Sequence, residues 1–221
     1  ESVDFESMDG TRLHGLFAEH LNPKVVMLFA HGRGSNVSML MDDLIQFVQR
    51  HQVSVFLFDY RGFGRSDGNP TENGLYADAR GARRWLSHRV NVDEHEIVLM
   101  GHSLGAAVMS ELAAKDGAKG LIIENGFTNL AAVVSHHVPL LPWSWVLQNE
   151  FDSAKNLTQY KGPTLIAHGS KDEVIPAEHG VKLFEQAAGP KRFLKIHGGK
   201  HRSKPTEEFD RVLAQFINDL E

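Results

Sequence analysis

From Glu96 to Leu112 the chain reads EIVLMGHSLGAAVMSEL, and this stretch is the strongest indicator of its architecture. The apolar run Ile97-Met100 has the length and composition of a buried strand, and the residues from Ala106 onward are typical of a buried helix. Between them, Ser103 lies in the pattern Gly-X-Ser-X-Gly, whose glycines permit a turn too tight for a Cβ atom. The stretch therefore predicts a strand, a sharp turn and a helix that project the Ser103 hydroxyl out of a sheet.

Strand-like and helical runs alternate in the same way through nearly the whole chain. This rhythm predicts an α/β fold with about eight strands in a mostly parallel sheet and helices on both faces. The first two strands are the exception, because Asp9-Gly10 is a hairpin signal. Val3-Ser7 and Leu13-Glu19 are therefore predicted to pair antiparallel at one edge. At 221 residues the chain has the length of a single domain, 1–221.

One segment, 127–155, interrupts the alternation of strand-like and helical runs. It is longer than the usual strand-to-helix connection and contains two prolines and two tryptophans. We predict that it forms a small cap inserted after a strand. Trp143 and Trp145 would either pack within the protein or touch a membrane surface, where tryptophan is enriched.

Composition excludes several classes of function. A net charge of −5 gives no reason to expect a nucleic-acid partner. The absence of cysteine excludes disulfides, a thiol nucleophile and cysteine-ligated metal. No apolar run approaches the roughly 18 residues of a membrane span. The chain has thirteen histidines, and His136-His137 comes nearest to a cluster of metal ligands. These two residues are adjacent, so their side chains are expected to point apart, and no carboxylate stands at helical spacing beside them. We expect no metal.

A serine hydroxyl is a poor nucleophile at neutral pH and needs a base, which a carboxylate holds in orientation. Histidines follow the last predicted strand, in RFLKIHGGKHRSKP. We favour His201 as the base because Gly198-Gly199 frees the loop to turn back over the sheet. His197 is the alternative, but it directly extends the strand and is expected to be held by packing.

The carboxylate is expected at the end of a neighbouring strand. Asp172 comes just past the strand in TLIAHGSKDEVIP. Glu173 beside it and Glu124 at the end of the preceding strand are the alternative acids. Each of the three could instead be a buried, paired structural carboxylate.

A tetrahedral intermediate needs backbone N–H donors aimed at its oxyanion. The stretch AHGRGSN, residues 30–36, predicts a close backbone approach after the third strand. We expect the N–H of Arg33 to pair with that of Leu104, with Gly34 as a second candidate donor. The Arg33 side chain is either solvated or a contact for an acidic substrate group.

The motifs AHGRGSN, DYRGFGRSDG, GHSLG and HGSKDEVIP, with a late glycine-rich loop and histidine, resemble the serine hydrolases of the α/β-hydrolase superfamily. FDYRGFGRSDGNPTENGLYADARGARRWL and ENGFTNL resemble more narrowly its small-capped branch, which includes bacterial hydrolases of unassigned substrate and eukaryotic protein depalmitoylases. The resemblance implies the α/β-hydrolase fold, with Ser103 as nucleophile, Asp172 as acid, His201 as base, and Arg33 and Leu104 as oxyanion donors. Many members have asparagine where this chain has Arg33, which makes the pocket mouth cationic.

These observations predict a serine hydrolase of the carboxylesterase or thioesterase type that needs no cofactor. Its substrate would be a small-molecule ester or thioester, an acylated protein or a lipid. The residues expected to line an apolar acyl pocket, or simply to pack the cap on the body, are Val138, Leu140, Leu141, Trp143 and Val146. Because the cap is short, we expect an open, shallow site that favours small acyl groups.

Two alternatives remain open at the level of sequence. The same triad would serve an acyltransferase or peptidase. A binding protein that has lost its chemistry is a further alternative, which the intact triad disfavours. The compartment is unassigned: the chain would be cytoplasmic, or associated with a membrane through an N-terminal hydrophobic anchor of the kind that relatives often carry, removed ahead of Glu1.

Overall fold

A computed structural model describes residues 1–138 and 149–221. Its strands are β1 (Ser2–Glu6), β2 (Arg12–Ala18), β3 (Val26–Ala30), β4 (Ser54–Phe58), β5 (Val98–His102), β6 (Gly120–Glu124), β7 (Thr164–Gly169) and β8 (Lys191–Ile196). The helices of these residues are α1 (Val37–His51), α2 (Glu72–Val90), α3 (Leu104–Asp116), α4 (Leu130–His137), α5 (Ser153–Gln159), α6 (Glu178–Gln186) and α7 (Glu207–Asn218).

The strands form one eight-stranded sheet in the order β1-β2-β4-β3-β5-β6-β7-β8. The pairs β1–β2 and β2–β4 are antiparallel, and all later neighbours are parallel. At the edge, Gly10 takes a positive φ of 83° in the β1–β2 turn, and the Asp9 carboxylate accepts hydrogen bonds from Thr11. The predicted mostly parallel sheet with an antiparallel edge is confirmed.

Helices cover both faces of the sheet, because each strand alternates apolar side chains between two cores. On one face, the buried side chains Leu86 of α2, Met109 of α3 and Leu157 of α5 belong to a common cluster. On the other face, Leu44 of α1 and Leu213 of α7 pack in a second cluster. The carboxyl ends of the parallel strands therefore meet at one edge, where ligands bind in folds of this kind.

The predicted cap begins with buried Phe127 and Thr128 and continues into α4. Val138, at the end of α4, is about half exposed. The other proposed pocket residues lie in 139–148, outside the described residues: Leu140, Leu141, Trp143 and Val146. Trp145 lies there too. The cap and its bounds remain a prediction. None of the helices in the two described ranges is long and apolar enough to cross a bilayer.

Candidate active site

Ser103 lies between the last residue of β5 and the first residue of α3, so a single residue reverses the chain. Its φ of 55° and ψ of −115° are rare for a residue with a side chain. The two glycines of the motif are needed because there is no room for a side chain at either position. A Cβ atom at Gly101 would overlap the carbonyl oxygen of Gly105, and a Cβ atom at Gly105 would overlap the carbonyl oxygen of Ala30. The backbone strain at Ser103 is thus held by close packing of α3 against β3 and β5.

Three predicted residues meet at this turn in a continuous hydrogen-bonded chain. His201 Nε2 lies 3.1 Å from Ser103 Oγ, and His201 Nδ1 lies 2.8 Å from Asp172 Oδ2. The Asp172 carboxylate is fully buried and the His201 ring is nearly so. The ring can therefore accept the serine proton through Nε2 while Nδ1–H donates to a carboxylate.

The Asp172 carboxylate is stabilised in its ionised form. Burial alone would raise its pKa, but the hydrogen bond from His201 and the backbone N–H groups of Ile175 and Val174 outweigh burial and lower the pKa. Both backbone donors lie 2.8 Å from Oδ1, which leaves Oδ2 for the histidine. Asp172 is thus a fixed negative charge beside His201.

The alternatives to His201 and Asp172 lie elsewhere. His197 is exposed, so the expectation that packing holds it is wrong. Glu173 Oε2 is 3.4 Å from the backbone N–H of His201 and has no contact with its ring. Glu124 is half-buried at the end of β6. Burial raises the pKa of Glu124, although the nearby His102 and His201 act in the opposite direction.

Two residues that sequence reasoning did not identify hold the backbone of His201. His102 Nε2 lies 2.8 Å from the His201 carbonyl oxygen, and Asn125 Nδ2 donates to the same oxygen at 3.0 Å. Asn125 Oδ1 also accepts from the N–H of Gly169, at the end of β7. These contacts join residues 76 and 99 positions apart, and no local pattern signals a side chain that binds a distant carbonyl.

His168 is a third residue that the sequence did not single out. Its buried ring lies 3.5 Å from Asp172 Oδ2, and its Nε2 lies 3.0 Å from the carbonyl oxygen of Ile175. Burial lowers the pKa of His168, despite the opposing effects of the Ile175 carbonyl and the Asp172 charge. A neutral ring with Nε2–H as donor fits this environment and fixes the loop that carries the carboxylate.

The predicted oxyanion loop packs directly on the serine turn. A Cβ atom at Gly32 would lie 3.2 Å from Ser103 Cβ and 2.9 Å from His102 Nδ1. The N–H of Arg33 follows this glycine, and Leu104 is the first residue of α3, where helix N–H groups have no intrahelical partner. Neither N–H donates a hydrogen bond within the described ranges. Gly34 remains the second candidate.

Within residues 1–138 and 149–221, the structure brings no three metal-ligating side chains together in one group. The rings of His136 and His137 lie edge to face with centroids 5.1 Å apart, so the expectation that they point apart is wrong. His137 Nε2 instead lies 2.8 Å from the Val174 carbonyl oxygen, beside the loop of Asp172.

A cavity of about 380 Å³ adjoins the Ser103 turn on the side of α1. Gly32 and His102 line it, whereas Ser103, Asp172 and His201 do not. Its apolar walls include Leu40, Phe47 and Phe209. Cavities of this volume hold small organic ligands.

Comparison with known proteins gives a consistent family assignment. A model of the family described as "Alpha/beta hydrolase family" matches residues 27–177. An uncharacterized protein of Mycobacterium tuberculosis is 36% identical over 201 residues, which cover 90% of this chain and 71% of that protein. The alpha/beta hydrolase domain-containing protein WAV2 of Arabidopsis thaliana is 29% identical over 223 residues, covering 91% and 72%.

Solved structures share the fold at low sequence identity. The esterase Pf2001 of Pyrococcus furiosus superposes with a TM-score of 0.81 at 18% identity, covering 100% of this chain and 90% of that one. An acetyl xylan esterase from Paenibacillus sp. R4 gives a TM-score of 0.79 at 20% identity, covering 99% and 83%. At these identities the likeness concerns the fold alone.

Proposed function

This chain belongs to the alpha/beta hydrolase family, and from that premise we propose that it is a serine hydrolase that cleaves carboxylic esters or thioesters through an acyl-enzyme. The family and its esterase neighbours support hydrolase activity in general. The observation that carries the finer proposal is the hydrogen-bonded chain from Asp172 through His201 to Ser103.

In the proposed first step, Ser103 Oγ attacks the carbonyl carbon while its proton moves to His201 Nε2. The buried Asp172 carboxylate stabilises the imidazolium that forms. The backbone N–H groups of Arg33 and Leu104 would donate to the developing oxyanion. Collapse of the intermediate breaks the bond to the alcohol or thiol, which takes the proton from His201, and leaves the acyl group on Ser103.

Water completes the cycle by the same route. His201 accepts a proton from water as the oxygen attacks the acyl carbon, and it returns that proton to Ser103 Oγ as the acid leaves. The hydrogen bonds of His102 and Asn125 to the His201 carbonyl oxygen would keep the imidazole ring in position through both steps.

A fluorophosphonate probe tests this proposal, because it reacts covalently only with an activated serine. We expect the wild-type protein to be labelled, and we expect labelling and p-nitrophenyl ester cleavage to vanish in Ser103→Ala. Ser110→Ala is the matched control: Ser110 is buried in α3, its Oγ is bonded to the Ala106 carbonyl, and its loss should leave labelling intact. A folded wild-type protein that fails to label would overturn the proposal.

p-Nitrophenyl esters also test the preferred acyl-chain length and distinguish hydrolysis from acyl transfer. Faster cleavage of short than of long acyl chains is expected for an open, shallow site, and the reverse order would contradict it. Product ratios with added alcohol separate hydrolysis from acyl transfer.

A further inference from the structure

Two arginines flank the Ser103 turn on loops that touch. Arg33 carries a proposed oxyanion donor, and Arg202 directly follows His201 in the chain. The Arg202 guanidinium lies against Gly34, because a Cβ atom there would overlap Arg202 Nη2. Both arginines are exposed. The loop of the proposed oxyanion donor and the loop of the proposed base thus each carry an exposed arginine, and the two loops touch at Gly34.

Neither guanidinium has a carboxylate within ion-pair distance in residues 1–138 and 149–221. Most arginines of this acidic chain do have one: Arg12, Arg50, Arg61, Arg80, Arg83, Arg89 and Arg192. Glu173 Oε2 accepts a hydrogen bond of 3.4 Å from the backbone N–H of His201. The charges of Arg33 and Arg202 are therefore free to pair with a ligand.

The cavity beside the turn lies next to Arg202, although Ser103 and Arg33 do not line it. Arg202 and Lys204 line it together with the hydroxyl residues Ser35 and Ser203. Asp43 and Glu124 also line this cavity, so its lining as a whole is mixed in charge. Arg50 lines it too, from α1, but is paired with Asp210, so the lining cations that have no ion pair in residues 1–138 and 149–221 are Arg202 and Lys204.

We infer that Arg33 and Arg202 bind an anionic group, a carboxylate or phosphate, carried by the ester or thioester that Ser103 cleaves. Guanidinium groups suit this role because their planar N–H donors match the oxygens of carboxylates and phosphates. The inference rests on the proposed function and adds the substrate class. The anion can belong to the acyl part or to the leaving group.

Two matched pairs of substrates test both positions. In the acyl pair, the mono-p-nitrophenyl ester of adipic acid is compared with p-nitrophenyl pentanoate. In the leaving-group pair, S-acetyl-4′-phosphopantetheine is compared with S-acetylpantetheine, which presents the same thioester and lacks only the phosphate. The measured quantity is the ratio of kcat/KM, anionic over neutral, at low ionic strength.

We expect the wild-type protein to favour the anionic member of one pair by about tenfold or more, since each charged hydrogen bond contributes on that scale. Arg33→Gln and Arg202→Gln should each reduce the ratio, and the double variant should abolish the preference. Raising the salt concentration to about 0.5 M should reduce it in the wild type, because ions screen exposed charges. Arg84→Gln is the control: Arg84 is exposed on α2, contacts Met8 Sδ, and should leave the ratio unchanged.

The outcomes separate this inference from the proposed function. If Ser103-dependent cleavage is equally fast for the neutral and anionic members, or if the double variant keeps the wild-type ratio, the inference is wrong and the hydrolase remains. If the folded wild type cleaves neither pair, or if Ser103→Ala cleaves them as fast, the proposed function fails and the inference fails with it.

Discussion

At the scale of single residues, the buried carboxylate of Asp172 is the group on which the proposed base depends. Asp172→Asn keeps the shape but removes the charge, and its amide would donate where Oδ2 now accepts from His201. The imidazolium would lose the negative charge that stabilises it. The neutral ring would no longer be held in the tautomer that carries its proton on Nδ1. We expect kcat for ester cleavage to fall roughly 10³-fold or more, with little change in the far-ultraviolet circular dichroism spectrum.

The two other candidate acids provide matched controls for that measurement. Glu173→Gln and Glu124→Gln are expected to keep more than about a tenth of the wild-type kcat, because neither carboxylate is hydrogen-bonded to the His201 ring. A loss in either variant as large as that in Asp172→Asn would place the acid elsewhere than Asp172.

The sequence predicted these residues because each follows a strand, and the carboxyl ends of parallel strands converge. Ser103, Asp172 and His201 therefore come together although they are far apart in the chain. It could not predict Asn125 and His102, because a side chain that binds a distant backbone carbonyl has no required spacing. Reasoning from sequence thus identified three side chains that meet at the serine turn, and it missed the two side chains that bind the His201 carbonyl oxygen.

At the scale of elements, the position of α3 against β3 depends on Gly105. A methyl group there would overlap the carbonyl oxygen of Ala30 and lie 2.9 Å from that of His31. Neither atom belongs to a flexible side chain, so the helix would have to move away from the strand. We expect Gly105→Ala to lower the free energy of unfolding by about 3 kcal/mol and to abolish ester cleavage, as measured by urea denaturation and kcat/KM.

Gly10→Ala distinguishes crowding from backbone strain. Gly10 has a φ of 83°, but no atom lies within 4 Å of an added Cβ. That variant should lose only about 1 kcal/mol and keep its activity. Equal losses in Gly105→Ala and Gly10→Ala would show that close packing of α3 on β3 is not what the glycine provides.

The order of the elements was predictable where local signals exist. Asp9-Gly10 marked the β1–β2 hairpin, and the alternating runs marked the parallel strands. That β4 lies between β2 and β3 carried no such signal, because strand order depends on long-range packing. Helix α5 begins at buried Ser153, inside the segment assigned to a cap, and its polar sequence SAKNLTQ conceals this burial.

At the scale of the whole molecule, stability is coupled to pH through histidines that are buried in the neutral form. Burial is the largest effect that lowers the pKa values of His51, His168 and His179. A group of this kind binds its proton more readily in the unfolded chain than in the folded one. The free energy of unfolding therefore falls as the pH drops below the ordinary histidine value of 6.5.

His179 isolates this effect in one residue. Its Nδ1 accepts a hydrogen bond of 3.2 Å from the Thr128 N–H and lies 3.0 Å from Thr128 Oγ1, so protonation would remove the backbone hydrogen bond between α6 and the start of the predicted cap. Burial, and then the charge of Lys182, lower the pKa of His179 to about 4. Between pH 7 and pH 5 this group should cost about 2 kcal/mol of stability in the wild type.

His179→Asn keeps an acceptor near the Nδ1 position but cannot be protonated in this range. Its stability should therefore fall less between pH 7 and pH 5 than that of the wild type, by about 2 kcal/mol in urea denaturation. His197→Asn replaces an exposed histidine and should keep the wild-type pH dependence. If His179→Asn loses as much stability over this interval as the wild type, the neutral buried ring of His179 is not a source of acid sensitivity.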